Sequence, residues 1–264
     1  MQLKVFSKTD KGRIRDGNED SMLVYPHLPD LGNKDEDPIE VLTQGAIFAV
    51  ADGMGGMQAG EIASGLVIDT LKDMLSNGFF LSEIHEKKIK GHMKATFMNA
   101  QISIEERGKK DPSTLGMGTT LVVGYIRDSN LHVAWLGDSR CYIYRKGVGL
   151  KCITRDHSFV QKFVDEGLIT MDEAFDHPGS NIITRCLQCV EDNDPFPDHA
   201  LLKLEFRDRI LFCSDGLNTM LRDAEIGEIL AADEGIRSCT ELLVSSAIEK
   251  GGRDNITVIL VDMI

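Results

Sequence analysis

The chain has 264 residues, 42% of them hydrophobic and 27% charged, enough apolar material for one large soluble domain with a full core. Its formal net charge of −13 argues against nucleic acid or an anionic membrane surface as a partner. No hydrophobic run reaches bilayer length, residues Met1 to Phe6 lack the apolar core of a signal peptide, and the six scattered cysteines do not read as a disulfide framework. The expectation is a cytoplasmic monomer with residues 1–264 as a single domain.

In chain order, residues 1–25 read as strand, turn and strand, with the turn at Asp10-Lys11-Gly12. Residues 26–44, with Pro26, Pro29, Gly32 and the acidic run Asp35-Glu36-Asp37-Pro38, read as a long surface loop. Ala46 to Val50 is a buried strand ending at Asp52. Glu61 to Leu75 reads as a helix, and Met93, Phe97, Ala100 and Ile104 repeat at the spacing of one buried helical stripe. From Thr119 the period changes to two. Strands at Leu121–Val123, Leu131–Trp135 and Cys141–Tyr144 follow one another through short turns, as in an antiparallel meander. Residues 155–200 are mixed, with short helices near Ser158–Glu166 and Met171–Phe175, and precede a hairpin of Leu201–Leu204 with Ile210–Cys213. Helices near Ala224–Leu230 and Cys239–Glu249 and a strand from Ile256 to Val261 close the chain. Clusters of strands separated by amphipathic helix pairs predict an α+β layered fold.

Five acidic anchors lie along this pattern: Asn18-Glu19-Asp20, Asp52-Gly53-Met54-Gly55-Gly56, Gly137-Asp138-Ser139-Arg140, Ser214-Asp215-Gly216 and Arg253-Asp254-Asn255. A carboxylate at the end of a buried strand is held rigidly, and a following glycine lets the backbone turn and exposes its carbonyl. Several such carboxylates converging would repel unless a cation sat between them, and an all-oxygen ligand set favours magnesium or manganese over zinc. Any one of these dipeptides alone is an ordinary turn. Cys186-Leu187-Gln188-Cys189 has redox or zinc spacing but no second Cys/His pair, so two ordinary thiols are expected. Gly118-Thr119-Thr120 lacks the lysine of a phosphate loop and reads as packing.

Taken together and in this order, with Thr9 to Asp20 ahead of them and Asp156-His157-Ser158 through His177-Pro178 to Arg185 between them, these motifs resemble the bacterial form of the PP2C-type metal-dependent serine/threonine phosphatases. The resemblance implies a four-layer α-β-β-α sandwich: two antiparallel sheets flanked by helix pairs, with a flap at about 155–200. It implies two Mn²⁺ or Mg²⁺ ions. Asp52 would bridge both, the Gly53 carbonyl would bind one, and Asp215 and Asp254 would be direct ligands. Glu19 and Asp20 lie in the same corner, one a direct ligand and the other acting through water. Asp138 with Asp215 can hold a third, weaker ion in bacterial members, and Arg15 corresponds to the arginine that grips substrate phosphate. The reaction implied is in-line attack of a metal-bridging hydroxide on a phosphate monoester, with no phosphoenzyme, on phosphoserine and phosphothreonine proteins and in opposition to a Ser/Thr kinase.

Three departures stand out. Met54 takes the place of a histidine that eukaryotic relatives carry, so the leaving group's proton is expected from a water on a metal. Met57 stands where bacterial relatives often have histidine, with no catalytic consequence expected; Leu187-Gln188 follows Arg185 where glycine is common, and there the flap geometry is expected to differ. His157 and His177 are expected to anchor the flap or sit at the surface rather than act as acids, and Arg140 to anchor its own turn. Two competing readings are a catalytically silent binding module of the same fold and a phosphatase specialised for one small regulatory phosphoprotein or a non-protein ester. The first predicts loss of the metal carboxylates or the arginine, and Arg15, Asp52, Asp215 and Asp254 are all present.

Overall fold

The computed structural model describes residues 2–25, 38–42, 45–55, 59–79, 86–190, 193–232 and 234–264. The elements in chain order are β1 (Gln2–Asp10), β2 (Asp20–Tyr25), β3 (Ile39–Leu42), β4 (Gly45–Met54), α1 (Ala59–Ser76), α2 (Glu86–Lys110), β5 (Gly118–Thr119), β6 (Leu121–Arg127), β7 (Asn130–Leu136), β8 (Arg140–Arg145) and β9 (Gly149–Cys152). There follow α3 (Phe159–Asp165), α4 (Met171–Phe175), β10 (Leu187–Gln188), β11 (Asp198–Lys203), β12 (Arg209–Cys213), α5 (Asp215–Asn218), α6 (Asp223–Ala231), α7 (Ile236–Glu249) and β13 (Ile256–Met263). A six-stranded sheet runs β3-β1-β13-β12-β8-β9. A seven-stranded sheet runs β10-β5-β4-β6-β7-β11, with β2 also paired to β4.

The layering follows from side-chain alternation on strands covered on both faces. In β4, Ile47, Ala49 and Ala51 face a core made with α1 and α2, while Ala46, Phe48 and Val50 face the other sheet. In β13, Ile259 and Val261 join that inter-sheet core, where Phe48 stacks on Phe212 at 5.9 Å, while Val258 and Leu260 meet α6 and α7. An apolar run with no alternation is thus what a strand between two cores requires. The α2 stripe Ile89, Met93, Phe97, Ala100 and Ile104 is buried against the seven-stranded sheet. Ile236, Cys239, Leu243, Val244 and Ala247 of α7 do the same on the six-stranded one. The result is the α-β-β-α sandwich of two antiparallel sheets flanked by helices.

Three sequence expectations need correction. β8 does not extend the meander: β6 and β7 pair, but β8 pairs with β12 and β9 in the opposite sheet. The chain changes sheets at Gly137, whose φ of +112° a side chain would resist. Nor do β11 and β12 form a hairpin, since β11 pairs with β7 and β12 with β13 and β8. Their link turns at Arg207 (φ +69°), where the Glu205 N–H donates to Asp208 Oδ2 at 2.7 Å, and buried Asp208 pairs with Arg145. Finally, the surface loop expected over 26–44 contains the edge strand β3, paired to β1. Residues 26–37 and 43–44 of that loop lie outside the described residues, as do Gly56 and Met57.

Candidate metal centre

The antiparallel register of β2 and β4 sets Asp20 directly across from Asp52. Opposed residues on neighbouring strands hold their Cβ atoms about 4.5–5.5 Å apart, and like charges there repel. The Asp52 backbone is fixed on both sides: its N–H donates to Thr120 Oγ1 at 3.0 Å, and its carbonyl accepts from Thr120 N–H and the Thr119 hydroxyl, each at 2.9 Å. The Gly118-Thr119-Thr120 segment therefore clamps the strand end that presents Asp52. Gly53 donates its N–H to the Glu19 carbonyl at 3.1 Å, and a Cβ there would stand 2.1 Å from Gly60 O and 2.7 Å from Glu19 O. Only glycine lets α1 start this close, and a Cβ on Gly60 would in turn meet the Glu19 carboxylate at 2.8 Å.

Three other segments bring carboxylates to the same end of the sandwich. Asp138 follows Gly137, whose N–H donates to His157 Nδ1 at 3.0 Å and whose carbonyl accepts the His157 N–H at 2.9 Å. Asp215 opens α5 after Ser214, whose hydroxyl donates to Asp20 Oδ2 at 2.7 Å and accepts the Thr257 N–H at 2.9 Å. Asp254 precedes Asn255, whose amide donates to the Lys11 and Gly17 carbonyls and accepts the Glu19 N–H. Arg15 lies among these groups, its Nη2 donating to Asp254 Oδ2 at 2.6 Å.

The carboxylates feel one another strongly. Burial first, then the charges of Asp20, Asp215, Asp138 and Asp254, hold Asp52 well above the usual carboxylate pKa. Burial and then Asp215 do the same to Asp138. Asp20 is pushed up to about 7, chiefly by burial and despite its hydrogen bond from Ser214. Burial and then Asp254 push Asp215 to about 6. Glu19 is raised by burial, with Arg15 pulling the other way. Asp20 Oδ1, Asp138 Oδ1 and Asp215 Oδ1 are buried with no hydrogen-bond partner among the described residues. Orphaned anionic oxygens are costly, and a hard divalent cation is the partner whose chemistry suits them. Among the described residues, no three His, Cys, Asp or Glu side chains are closed up into a finished ligand set. The oxygens of Asp20, Asp138 and Asp215 nonetheless fit a divalent ion by donor type and by want of partners among the described residues, and those of Asp52 by donor type.

Against this geometry the comparisons are direct. The family model for protein phosphatase 2C matches residues 6–162. The chain belongs to the protein phosphatase 2C family. It is 34% identical to the serine/threonine phosphatase stp of Listeria innocua, over 97% of this chain and 94% of that one. The crystal structure of Stp1 from Staphylococcus aureus superposes with a TM-score of 0.85 at 30% identity, covering 99% of this chain and 95% of the other. The catalytic domain of PstP, solved in complex with 2 manganese ions, superposes with a TM-score of 0.79 at 32% identity over 99% and 98%.

Other residues singled out in the sequence take supporting places. His157 is buried. Its Nδ1 accepts from Gly137, its Nε2 lies 2.9 Å from Arg185 Nη1, and burial followed by the Arg185 guanidinium lowers its pKa. His177 closes its own turn by accepting the Gly179 N–H at 3.0 Å. Arg140 anchors more than its own turn: it forms a bidentate pair with Asp156, at 2.9 and 2.7 Å, and donates to Tyr142 OH at 2.8 Å. Leu187-Gln188 forms β10 against β5. Cys186 and Cys189 are free thiols, with burial pushing Cys186 up to about 11. Sequence reasoning gave no role to Ser214 or Asn255, although both sit inside the quoted motifs next to a ligand candidate.

Proposed function

We propose that the chain is a Mn²⁺- or Mg²⁺-dependent phosphoprotein phosphatase that hydrolyses phosphoserine and phosphothreonine. In this reading residues 1–264 act as one catalytic domain and as a monomer, opposing a Ser/Thr kinase in the cytoplasm. The observation that carries it is the meeting of Asp20, Asp52, Asp138, Asp215 and Asp254, from five separate segments, with three buried carboxylate oxygens unpartnered among the described residues. Family membership and the manganese-bound relative support it. No described helix is long and apolar enough to cross a membrane.

Glu19, Asp20, Asp52, the Gly53 carbonyl, Asp215 and Asp254 would hold two ions, with Asp138 and Asp215 suited to a third, weaker one. When bound, such cations neutralise the phosphoryl oxygens and make water acidic enough to supply hydroxide near neutral pH. The chain's own part is to fix and orient. The backbone clamp on Asp52 keeps its carboxylate from swinging away. Arg15 is half exposed and spends one N–H on Asp254, which leaves its other donors for two phosphate oxygens of the ester. Met54 offers no proton to the leaving alkoxide. Cys213, at the end of β12, is buried and its thiol pKa is driven far up, so a thiolate nucleophile and a phosphoenzyme are not part of this reading.

The test is hydrolysis of a phosphothreonine peptide with manganese, with EDTA, and by Asp52→Asn. Manganese-dependent turnover that EDTA abolishes and the variant lowers by orders of magnitude is expected. Near-wild-type turnover by Asp52→Asn would show the assigned centre to be wrong.

A further inference from the structure

A groove of about 500 Å³ lies beside the centre, between the 175–181 strip and Asp215, Lys250, Arg253 and Asp254. It opens on two of the clustered carboxylates, so a polypeptide carrying a phosphorylated side chain to the centre would lie along it. Most charges of the groove are already matched. Lys250 pairs with Glu225, Asp176 Oδ2 accepts from Arg222 Nη2 at 2.8 Å, and Asp254 pairs with Arg15. Arg253 is exposed and has no hydrogen bond or ion pair among the described residues. Exposed Arg13, whose N–H donates to the Gly252 carbonyl at 2.7 Å, likewise has no ion pair among them. The two side chains leave from either side of the Gly251-Gly252 turn: a Cβ on Gly251 would stand 3.7 Å from Arg253 Cγ, and one on Gly252 3.4 Å from Arg13 Cγ.

We infer that Arg253, assisted by Arg13, selects phosphoprotein substrates with an acidic residue flanking the phosphorylated serine or threonine. This rests on the phosphatase reading and goes beyond it by naming a substrate class. Two features argue for it. A chain of net charge −13 repels anionic substrates at long range, and unmatched guanidinium groups beside the centre restore a local attraction. The loop that bears Arg253 is also rigid. Gly252 N–H donates to the Ala247 carbonyl at 3.0 Å, its carbonyl is taken by Arg13, and Asn255 holds the Lys11 and Gly17 carbonyls. Binding there orders a side chain and not a loop, which limits its entropy cost. A guanidinium offers a planar pair of donors to a carboxylate, the chemistry that an aspartate or glutamate in the substrate supplies.

The experiment measures kcat/KM with manganese for phosphothreonine peptides identical but for glutamate, alanine or lysine flanking the phosphoresidue. The full chain and Arg253→Glu are compared, with p-nitrophenyl phosphate as a small ester. The readout is the ratio between peptides on one preparation, so folding and metal content cancel. The full chain should prefer the glutamate peptide over the lysine peptide by about fivefold, the scale of one exposed ion pair, and the preference should shrink at high salt. Arg253→Glu should invert the order. Equal turnover of the three peptides, or an order that Arg253→Glu leaves as it was, would overturn the proposal while the phosphatase reading stands. No turnover of any ester, the small one included, would overturn both.

Discussion

The Ser214 hydroxyl serves two partners: it donates to Asp20 Oδ2 and accepts the Thr257 N–H that would otherwise be buried and unsatisfied. Groups that orient a ligand carboxylate matter to metal affinity nearly as much as the ligand itself. Ser214→Ala should therefore weaken manganese binding about tenfold, read from the metal dependence of turnover. It should also cost ~1 kcal/mol of stability in a urea titration. Arg15→Ala should act differently, raising KM for a phosphopeptide more than it changes the manganese concentration needed for half activity. Equal effects on both would mean that Arg15 serves Asp254 and not the substrate. At this scale the carboxylates were legible because each lies within two residues of a strand end and of a glycine or asparagine. Their supports were not. Asn255 reaches Glu19 across 236 residues and Ser214 reaches Asp20 across 194, and nothing local in the sequence announces such contacts.

Among the elements, helices were readable where a single apolar stripe meets a sheet. The α2 stripe is such a case, and Phe97 at its middle is fully buried. Phe97→Ala should cost about 3–5 kcal/mol in denaturant unfolding, from lost burial and the cavity left behind. Strands were readable but their partners were not. The period of two gives the faces of β8 and β12 and says nothing about which sheet each joins. That choice turns on Gly137 and on the Asp208–Arg145 pair. The 155–186 excursion owes its position to pairs that the sequence also left unseen. Arg222 holds Asp172 and Asp176 at 3.0 and 2.8 Å and lies over the Phe175 ring at 4.3 Å, so one side chain on the core secures α4. Arg222→Ala should speed hydrogen exchange in residues 171–176 while global stability changes by less than about 1 kcal/mol.

For the whole molecule, the raised carboxylate pKa values couple metal, protons and folding. Asp20 at about 7 and Asp215 at about 6 lie above their ordinary 3.8, so between 3.8 and those values the metal-free folded chain holds protons that the unfolded chain releases. From these groups, metal-free stability falls as pH rises through that window, with the full cost present above about 7. A divalent ion binds the deprotonated form, so its stabilising effect grows over the same range. The increase in Tm on adding manganese should be larger at about pH 7.5 than at about pH 5.5. An increase independent of pH would mean that these carboxylates are not the ligands. The central claim, that the clustered carboxylates form a divalent-metal centre, is tested most directly by titrating manganese into the metal-free protein in a calorimeter, alongside Asp52→Asn. The account predicts about two tightly bound ions per chain, and loss of both in the variant because Asp52 would bridge them. No manganese bound by the wild type, or the same binding by Asp52→Asn, would contradict it.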